Sequence, residues 1–246
     1  MLHAFDAAGD ALAAGPVPAA GSTLAMADFH LYLDSADITE LRACLPHPVV
    51  HGVTTNPTLL RRAGVSWQAL PDLLDELIAL GANQVQAQVR SAEASGMLAD
   101  ADALLCRIDS RRLVVKIPAT REGLRAGGIL IAQGVAVTFT AVYALEQAHF
   151  AAELGAAYAA PYLGRLNDAG VDGLALIGAM QGLLSARSAT MRLLVASVRD
   201  RAAYLDLLRL GVRAITIPPR LLPDLLDHTA TIQAEQGFLA DAEAIG

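Results

Sequence analysis

Residues 29–37, Phe29-His30-Leu31-Tyr32-Leu33-Asp34-Ser35-Ala36-Asp37, read as a short apolar strand that ends in a carboxylate and passes directly into polar residues. An open doubly wound sheet usually places a glycine-rich phosphate loop after its first strand. Leu33-Asp34-Ser35-Ala36-Asp37 contains no glycine. Downstream, the same sequence of apolar run, polar end and helical segment repeats. Candidate strands fall at 29–34, 50–55, 84–89, 113–117, 135–140, 158–162, 193–197 and 213–217. The segments between them carry helical periodicity. Leu70, Leu73, Leu74, Leu77 and Ile78 form one stripe, with Ser66 as a cap and Pro71 as an expected kink. Met97, Ala101, Leu104, Leu105 and Ile108 form another. Leu174, Ile177, Gly178, Gln181 and Leu184 mark a third, and Asp200 caps a fourth that bears Tyr204, Leu205, Leu207 and Leu208 and ends at Gly211.

Parallel neighbours need crossover connections, so strands separated by helices imply a parallel sheet. Eight such units close into a (β/α)8 TIM barrel, and the chain length of 246 fits the roughly 250 residues typical of that fold. The expected division is an N-terminal extension over 1–28 and an α/β barrel domain over 29–246. The extension is rich in Ala and Gly and has no Lys or Arg, which argues against a signal peptide. It is expected to be disordered or to precede the true start, with Met26 as an alternative first residue.

Composition narrows the function. Apolar residues make up 54% of the chain and charged residues 17%, enough for a large core with apolar surface left for a partner subunit. The longest apolar runs fall short of the ~18 residues that span a bilayer, so no membrane contact is expected. A net charge of −7, with no basic run and few aromatics, argues against nucleic acid. Cys44 and Cys106 stand far apart, which suits a reducing, cytoplasmic setting. The six histidines show no metal-ligand spacing, so no metal site is expected.

Seventeen of the 18 basic residues are arginine; the single lysine is Lys116. Arginine does not deprotonate in proteins and cannot serve as a nucleophilic amine, whereas lysine can. Lys116 lies in Val114-Val115-Lys116-Ile117-Pro118, where apolar neighbours would desolvate the ammonium and lower its pKa. In TIM barrels the active site lies at the C-terminal strand ends. Those ends supply Asp34, Thr54, Thr55, Asn56, Gln88, Lys116, Thr138, Thr140, Tyr162 with Arg165, and Ser197 with Arg199. Gln88 alternates with Gln84 and Gln86 on one strand face, and inward polar residues are costly unless paired. Arg165 and Arg199 suggest a phosphate clamp. Each residue also has a plainer reading: Asp34 as a helix cap at Ser35, Asn56-Pro57 as a turn, the arginines as surface ion pairs, Tyr162 as core packing.

These residues resemble the transaldolase family. Val53-Thr54-Thr55-Asn56-Pro57 resembles its TTNP signature, and Leu31–Asp37 its first strand. Val114–Thr120 with Glu122-Gly123 resembles its Schiff-base lysine segment; Ala160–Arg165 and Ala196–Arg199 resemble its phosphate-side segments. Gln88 and Tyr162 stand where transaldolases proper usually have Glu and Phe, and both choices are similar to the short fructose-6-phosphate aldolases. Val198 departs from the family at a position where an aromatic is common.

The resemblance implies an enzyme in which Lys116 forms a Schiff base with a ketose phosphate such as fructose 6-phosphate. Asp34 would move the proton at the breaking C3–C4 bond, while Gln88, Thr140 and Tyr162 would hold a catalytic water. Thr54 and Asn56 would bind the dihydroxyacetone end, and Arg165, Ser197 and Arg199 the phosphate. No cofactor is implied, and the expected assembly is a pentamer or decamer of identical subunits. The alternatives are a true transaldolase passing dihydroxyacetone to erythrose 4-phosphate, and a sugar-phosphate-binding barrel without turnover.

Overall fold

The computed structural model of the protein describes residues 29–187 and 189–246; the extension over 1–28 lies outside the described residues. Eight parallel strands pair in sequence order, and the last closes onto the first. They are β1 (His30–Asp34), β2 (Val50–Thr54), β3 (Gln84–Gln88), β4 (Leu113–Pro118), β5 (Val137–Val142), β6 (Tyr158–Pro161), β7 (Arg192–Val195) and β8 (Ala214–Ile217). Around them run α1 (Ile38–Arg42), α2 (Pro57–Arg62), α3 (Leu70–Ala79), α4 (Ala94–Leu105), α5 (Arg121–Ala132), α6 (Leu145–Glu153), α7 (Leu163–Asp168), α8 (Gly173–Ala186), α9 (Arg201–Arg209), α10 (Leu222–Leu226) and α11 (Thr229–Ile245). The fold is a TIM barrel, as expected from the eight alternating units.

Local chemistry sets the strand-to-helix turns. Asp37, Asn56, Thr120, Asp172 and Asp200 each accept a backbone N–H in the first turn of the following helix. Each such cap contributes about 1 kcal/mol. The cap of α1 is therefore Asp37, and Asp34 is left for other work. Asn56 is both a cap, with Pro57 in the first helical turn, and a wall of the cavity described below. Pro71 does not kink its helix. It sits in the first turn of α3, where a proline removes no helical hydrogen bond. Ser66 accepts from Ala69 N at 3.2 Å, one turn before the helix rather than at its cap. The fifth strand starts at Val137 and runs on to Val142, with an irregularity between Thr140 and Val142.

Alternation along the strands divides the core in two. Leu33, Val53, Val85, Val115, Ile117, Phe139 and Ile215 point outward and pack against the helices with Leu70, Leu74, Leu77 and Leu104. Fully burying a leucine of this kind stabilises the fold by roughly 1.5–3 kcal/mol. Inside the barrel a smaller cluster holds Tyr32, Val114, Tyr158, Ala160, Leu194 and Ala214. Below the site the interior is polar and largely bonded: Tyr32 OH donates to Gln84 Oε1 at 2.5 Å, lies 2.9 Å from Tyr158 OH, and Tyr158 OH lies 2.7 Å from His30 Nδ1, while the Gln86 side-chain nitrogen is buried with no partner. Of the α9 stripe only Leu207 is buried; Leu208 faces solvent.

Candidate active site

Beyond Ile117 and Pro118, β4 turns into α5 with very little clearance. A Cβ on Gly123 would lie 1.9 Å from the Pro118 carbonyl oxygen. This tight return fixes the end of the strand that carries Lys116. On one side Lys116 is in register with Gln88, and on the other with Thr138. Its side chain points into the barrel and is only 4% exposed. The amine Nζ donates to the Thr55 carbonyl oxygen at 2.9 Å. Burial pushes the Lys116 pKa below its usual value, and the nearby Asp34 carboxylate opposes that shift.

Lys116 forms part of the floor of a cavity of about 400 Å3 at the C-terminal ends of the strands. Asp34, Asn56, Gln88, Tyr162, Arg165 and Ser197 line it as well, together with Pro57, Thr58, Leu59, Arg62, Ala141, Tyr143 and Ala196. Two other residues named from the sequence stand just behind the wall. Thr54 Oγ1 donates to Asp34 Oδ1 at 2.7 Å and also meets Thr216 Oγ1 at 2.7 Å. Thr140 Oγ1 lies 2.7 Å from the Tyr162 hydroxyl. Deeper still, Gln86 accepts from Thr138 Oγ1 at 2.8 Å.

Tyr162 closes one side of the cavity. Its ring meets Tyr143 edge to face at 5.8 Å, and the Arg165 guanidinium lies 5.3 Å from its centroid. Burial raises the Tyr162 pKa, the Thr140 hydrogen bond opposes the rise, and Asp34 adds to it. The phenol therefore stays protonated at neutral pH.

Arg199 is arranged differently from the sequence expectation. It does not line the cavity. It is exposed and forms a two-pronged ion pair with Asp168, Nη1 to Oδ1 at 2.8 Å and Nη2 to Oδ2. Its Nε nevertheless faces Ser197. The point where a Cβ on Gly164 would lie is 2.7 Å from Arg199 Nε and 2.8 Å from Ser197 Oγ. Glycine at 164 thus lets this corner close up into a cradle of an N–H donor, a hydroxyl and the Ser197 carbonyl oxygen, with no room for a side chain. Ser197 holds a left-handed backbone with φ of 59°, and Ala141 does so with φ of 55°. Such conformations cost of order 1–3 kcal/mol outside glycine and gather at ligand-binding positions.

Sequence reasoning missed Arg62, Tyr143 and Thr216. Arg62 was legible in principle, since Thr58, Leu59 and Arg62 share one face of α2 at the four- and three-residue spacing. Tyr143 directly follows β5 and Thr216 lies near the end of β8, so the strand-end rule could have found both.

A parallel barrel with a polar cavity at its C-terminal rim, floored by a buried amine, defines a TIM-barrel enzyme. The sequence profile of the transaldolase/fructose-6-phosphate aldolase family matches residues 31–246, and the chain belongs to that family. A protein of Anaeromyxobacter sp. described as a "probable transaldolase" is 37% identical over 87% of this chain and 97% of its own length. One from Methanococcus maripaludis, described in the same words, is 34% identical with the same coverage. Among solved structures, a mandelate oxidase variant superposes with a TM-score of 0.53 at 16% identity, covering 77% of this chain and 65% of that one; the likeness is one of fold alone. No described helix is long and apolar enough to cross a membrane.

Proposed function

We propose that the protein is a Schiff-base aldolase acting on ketose phosphates such as fructose 6-phosphate. One observation carries the reading: the only lysine of the chain lies buried in the cavity, where desolvation favours its neutral, nucleophilic form. The Lys116 amine adds to the C2 carbonyl, and loss of water leaves an iminium. The Asp34 carboxylate takes the proton of the C4 hydroxyl as the C3–C4 bond breaks. The electron pair of that bond passes to the iminium nitrogen, giving an enamine, and glyceraldehyde 3-phosphate departs. The iminium itself polarises the bond, so the step calls for no metal ion. Asn56 and, through Asp34, Thr54 order the dihydroxyacetone end; Arg165, Ser197 and Arg199 hold the phosphate.

The enamine has two fates. Protonation and addition of water release dihydroxyacetone and the free amine, which is aldolase chemistry. Attack on the aldehyde of erythrose 4-phosphate is transaldolase chemistry, the activity that the relatives' descriptions name. Gln88 in the cavity wall, with Tyr162 bonded to Thr140, supports a held water and hence release. The test is borohydride reduction with fructose 6-phosphate, followed by peptide mass spectrometry and an assay of free dihydroxyacetone against transfer. An adduct on Lys116 with release exceeding transfer is expected. Absence of any adduct sinks the Schiff-base reading, and dominant transfer sinks the aldolase half of it.

The working form in this proposal is a cytoplasmic homo-oligomer, a pentamer or decamer by family resemblance. In support, α11 buries none of its residues and exposes Ile232, Phe238, Leu239 and Ile245, while Cys44 and Cys106 are both free. Light scattering on the full chain and on a Phe238→Asp variant would read the assembly, with the variant expected to dissociate.

A further inference from the structure

Thr54 and Asn56 both belong to the site, and Thr55 stands between them with no role yet assigned. It is fully buried and does not line the cavity. β2 ends at Thr54, so the Thr55 carbonyl lies one step beyond the strand. Among the described residues no backbone N–H donates to that oxygen. It accepts instead from Lys116 Nζ at 2.9 Å. The atom nearest to the reacting nitrogen is thus a main-chain acceptor.

Two bonds hold this residue in place. Thr55 N–H donates to the Gln86 carbonyl oxygen at 2.9 Å, and Thr55 Oγ1 donates to the same oxygen at 3.1 Å. The N–H bond alone continues the pairing of β2 with β3; the hydroxyl adds a second tether. Gln86 is tied on its other flank, where its Oε1 accepts from Thr138 Oγ1 at 2.8 Å. Thr138 is in register with Lys116. Gln86, on β3, therefore reaches β2 through a backbone oxygen and β5 through its side chain. Lys116 rises from β4, between β3 and β5. Thr55, Gln86 and Thr138 are all fully buried, so water does not compete for these bonds.

A carbonyl oxygen gains most from a charged donor. Addition of the neutral Lys116 amine to the ketose carbonyl carbon, uptake of one proton and loss of water leave Nζ planar, with one N–H and a positive charge. We propose that the Thr55 carbonyl accepts that N–H and stabilises the iminium, and that the Thr55 hydroxyl is the group that positions it. The same bond orients the adduct. With the N–H turned to Thr55, the new bond from Nζ to the substrate carbon must leave on another side, towards the cavity. This rests on the Schiff-base reading above and adds to it the acceptor for the iminium charge. The titratable and charged groups that share the cavity with the amine are Asp34, Tyr143, Tyr162, Arg62 and Arg165. A substitution at Thr55 changes none of them.

The probe is dihydroxyacetone, which has the carbonyl but no carbon–carbon bond to cleave here, so imine formation is read alone. The full-length protein is trapped with cyanoborohydride across a pH series. Thr55→Val keeps the shape and the backbone bond and removes only the hydroxyl. Its plateau rate of trapping should fall about tenfold. The acid limb of its profile should move to lower pH, because a loosened acceptor favours the ammonium less. Thr55→Ser should restore both. Undiminished trapping in Thr55→Val overturns the proposal. So does a limb that moves up towards 10.5, which would mean that the variant merely lets water reach Lys116. A wild-type measurement stands apart from how the variants fold: 15N-lysine labelling marks a single Nζ, and its iminium N–H should exchange with solvent at least about tenfold more slowly than an unbonded one. Exchange at the unbonded rate overturns the proposal. Absence of any wild-type adduct sinks the Schiff-base reading and this inference with it, whereas a full adduct unaffected by Thr55→Val sinks the inference alone.

Discussion

The hydroxyl of Tyr162 lies 2.7 Å from Thr140 Oγ1, tying the end of β6 to β5 at the cavity wall. Burial keeps that phenol protonated, so it can donate to a water or an oxyanion while Thr140 fixes its direction. Tyr162→Phe preserves the ring that packs on Tyr143 and under Arg165 and removes only the hydroxyl. Release of dihydroxyacetone should fall by about 10²-fold, the usual scale for losing a positioned proton donor, with KM nearly unchanged. Transfer to erythrose 4-phosphate should rise relative to release. Undiminished release in this variant would remove Tyr162 from the water-handling role.

Lys116 carries a signature in stability as well as in rate. Its folded pKa lies below the usual 10.5 because the buried ammonium is desolvated. The unfolded chain therefore binds the extra proton at higher pH than the folded one does. The charge penalty on the native state is present in full below the folded pKa and vanishes as pH rises to about 10.5. Denaturant titrations of wild type and Lys116→Met at several pH values should show the wild type gaining on the variant across that window. Parallel stability curves at every pH would mean that the amine is not desolvated.

The fold was legible because its signals are local and repeated: an apolar run, a polar end, a cap such as Asp200, a helical stripe. The inward-facing candidates Asp34, Gln88, Lys116 and Tyr162 were legible for a related reason, since alternation in a strand decides which residues share its inner face. Three kinds of feature were not. Pro71 reads as a kink unless the helix start is known to within one residue. The pairing of Arg199 with Asp168 joins residues 31 positions apart, one on the loop after β7 and one at the end of α7. Arg62 needs both the phase of α2 and the order of strands around the ring. In each case the missing information is tertiary, not propensity.

At the opposite end of the barrel, His51 stacks on His30 with ring centroids 3.8 Å apart and meets Tyr32 edge-on at 5.2 Å. Burial, aided by the positive charge of Arg192, lowers the His51 pKa from 6.5 to about 4. The unfolded histidine takes up its proton first as pH falls. The stability from keeping His51 neutral is thus present above about 6.5 and is lost progressively down to about 4. His51→Phe keeps the stack on His30 and should flatten this part of the pH–stability curve, read as the difference from wild type in urea unfolding. An unchanged slope would place the acid sensitivity elsewhere.

Gly164 offers the sharpest test of the proposed phosphate cradle, because the substitution adds one methyl group that must displace Arg199 and Ser197. In the first turn of α7 its N–H donates to the Ser197 carbonyl at 3.1 Å, so the two segments are already in contact. An alanine Cβ would stand 2.7 Å from Arg199 Nε and from the Ser197 carbonyl oxygen, closer than real Cβ contacts come. The carbonyl belongs to a residue with φ of 59° and has little freedom to retreat, so Arg199 and Ser197 must be pushed apart. Removing productive contacts to a charged phosphate costs roughly 1.5–3 kcal/mol, which predicts a KM for fructose 6-phosphate raised between about ten- and a hundredfold. Activity on a non-phosphorylated donor such as fructose should change far less, because no anion enters the cradle. If Gly164→Ala lowered both activities equally while circular dichroism and Tm stayed native, the Gly164–Ser197–Arg199 corner would not be the phosphate site, and the grip would have to be sought at Arg165 alone.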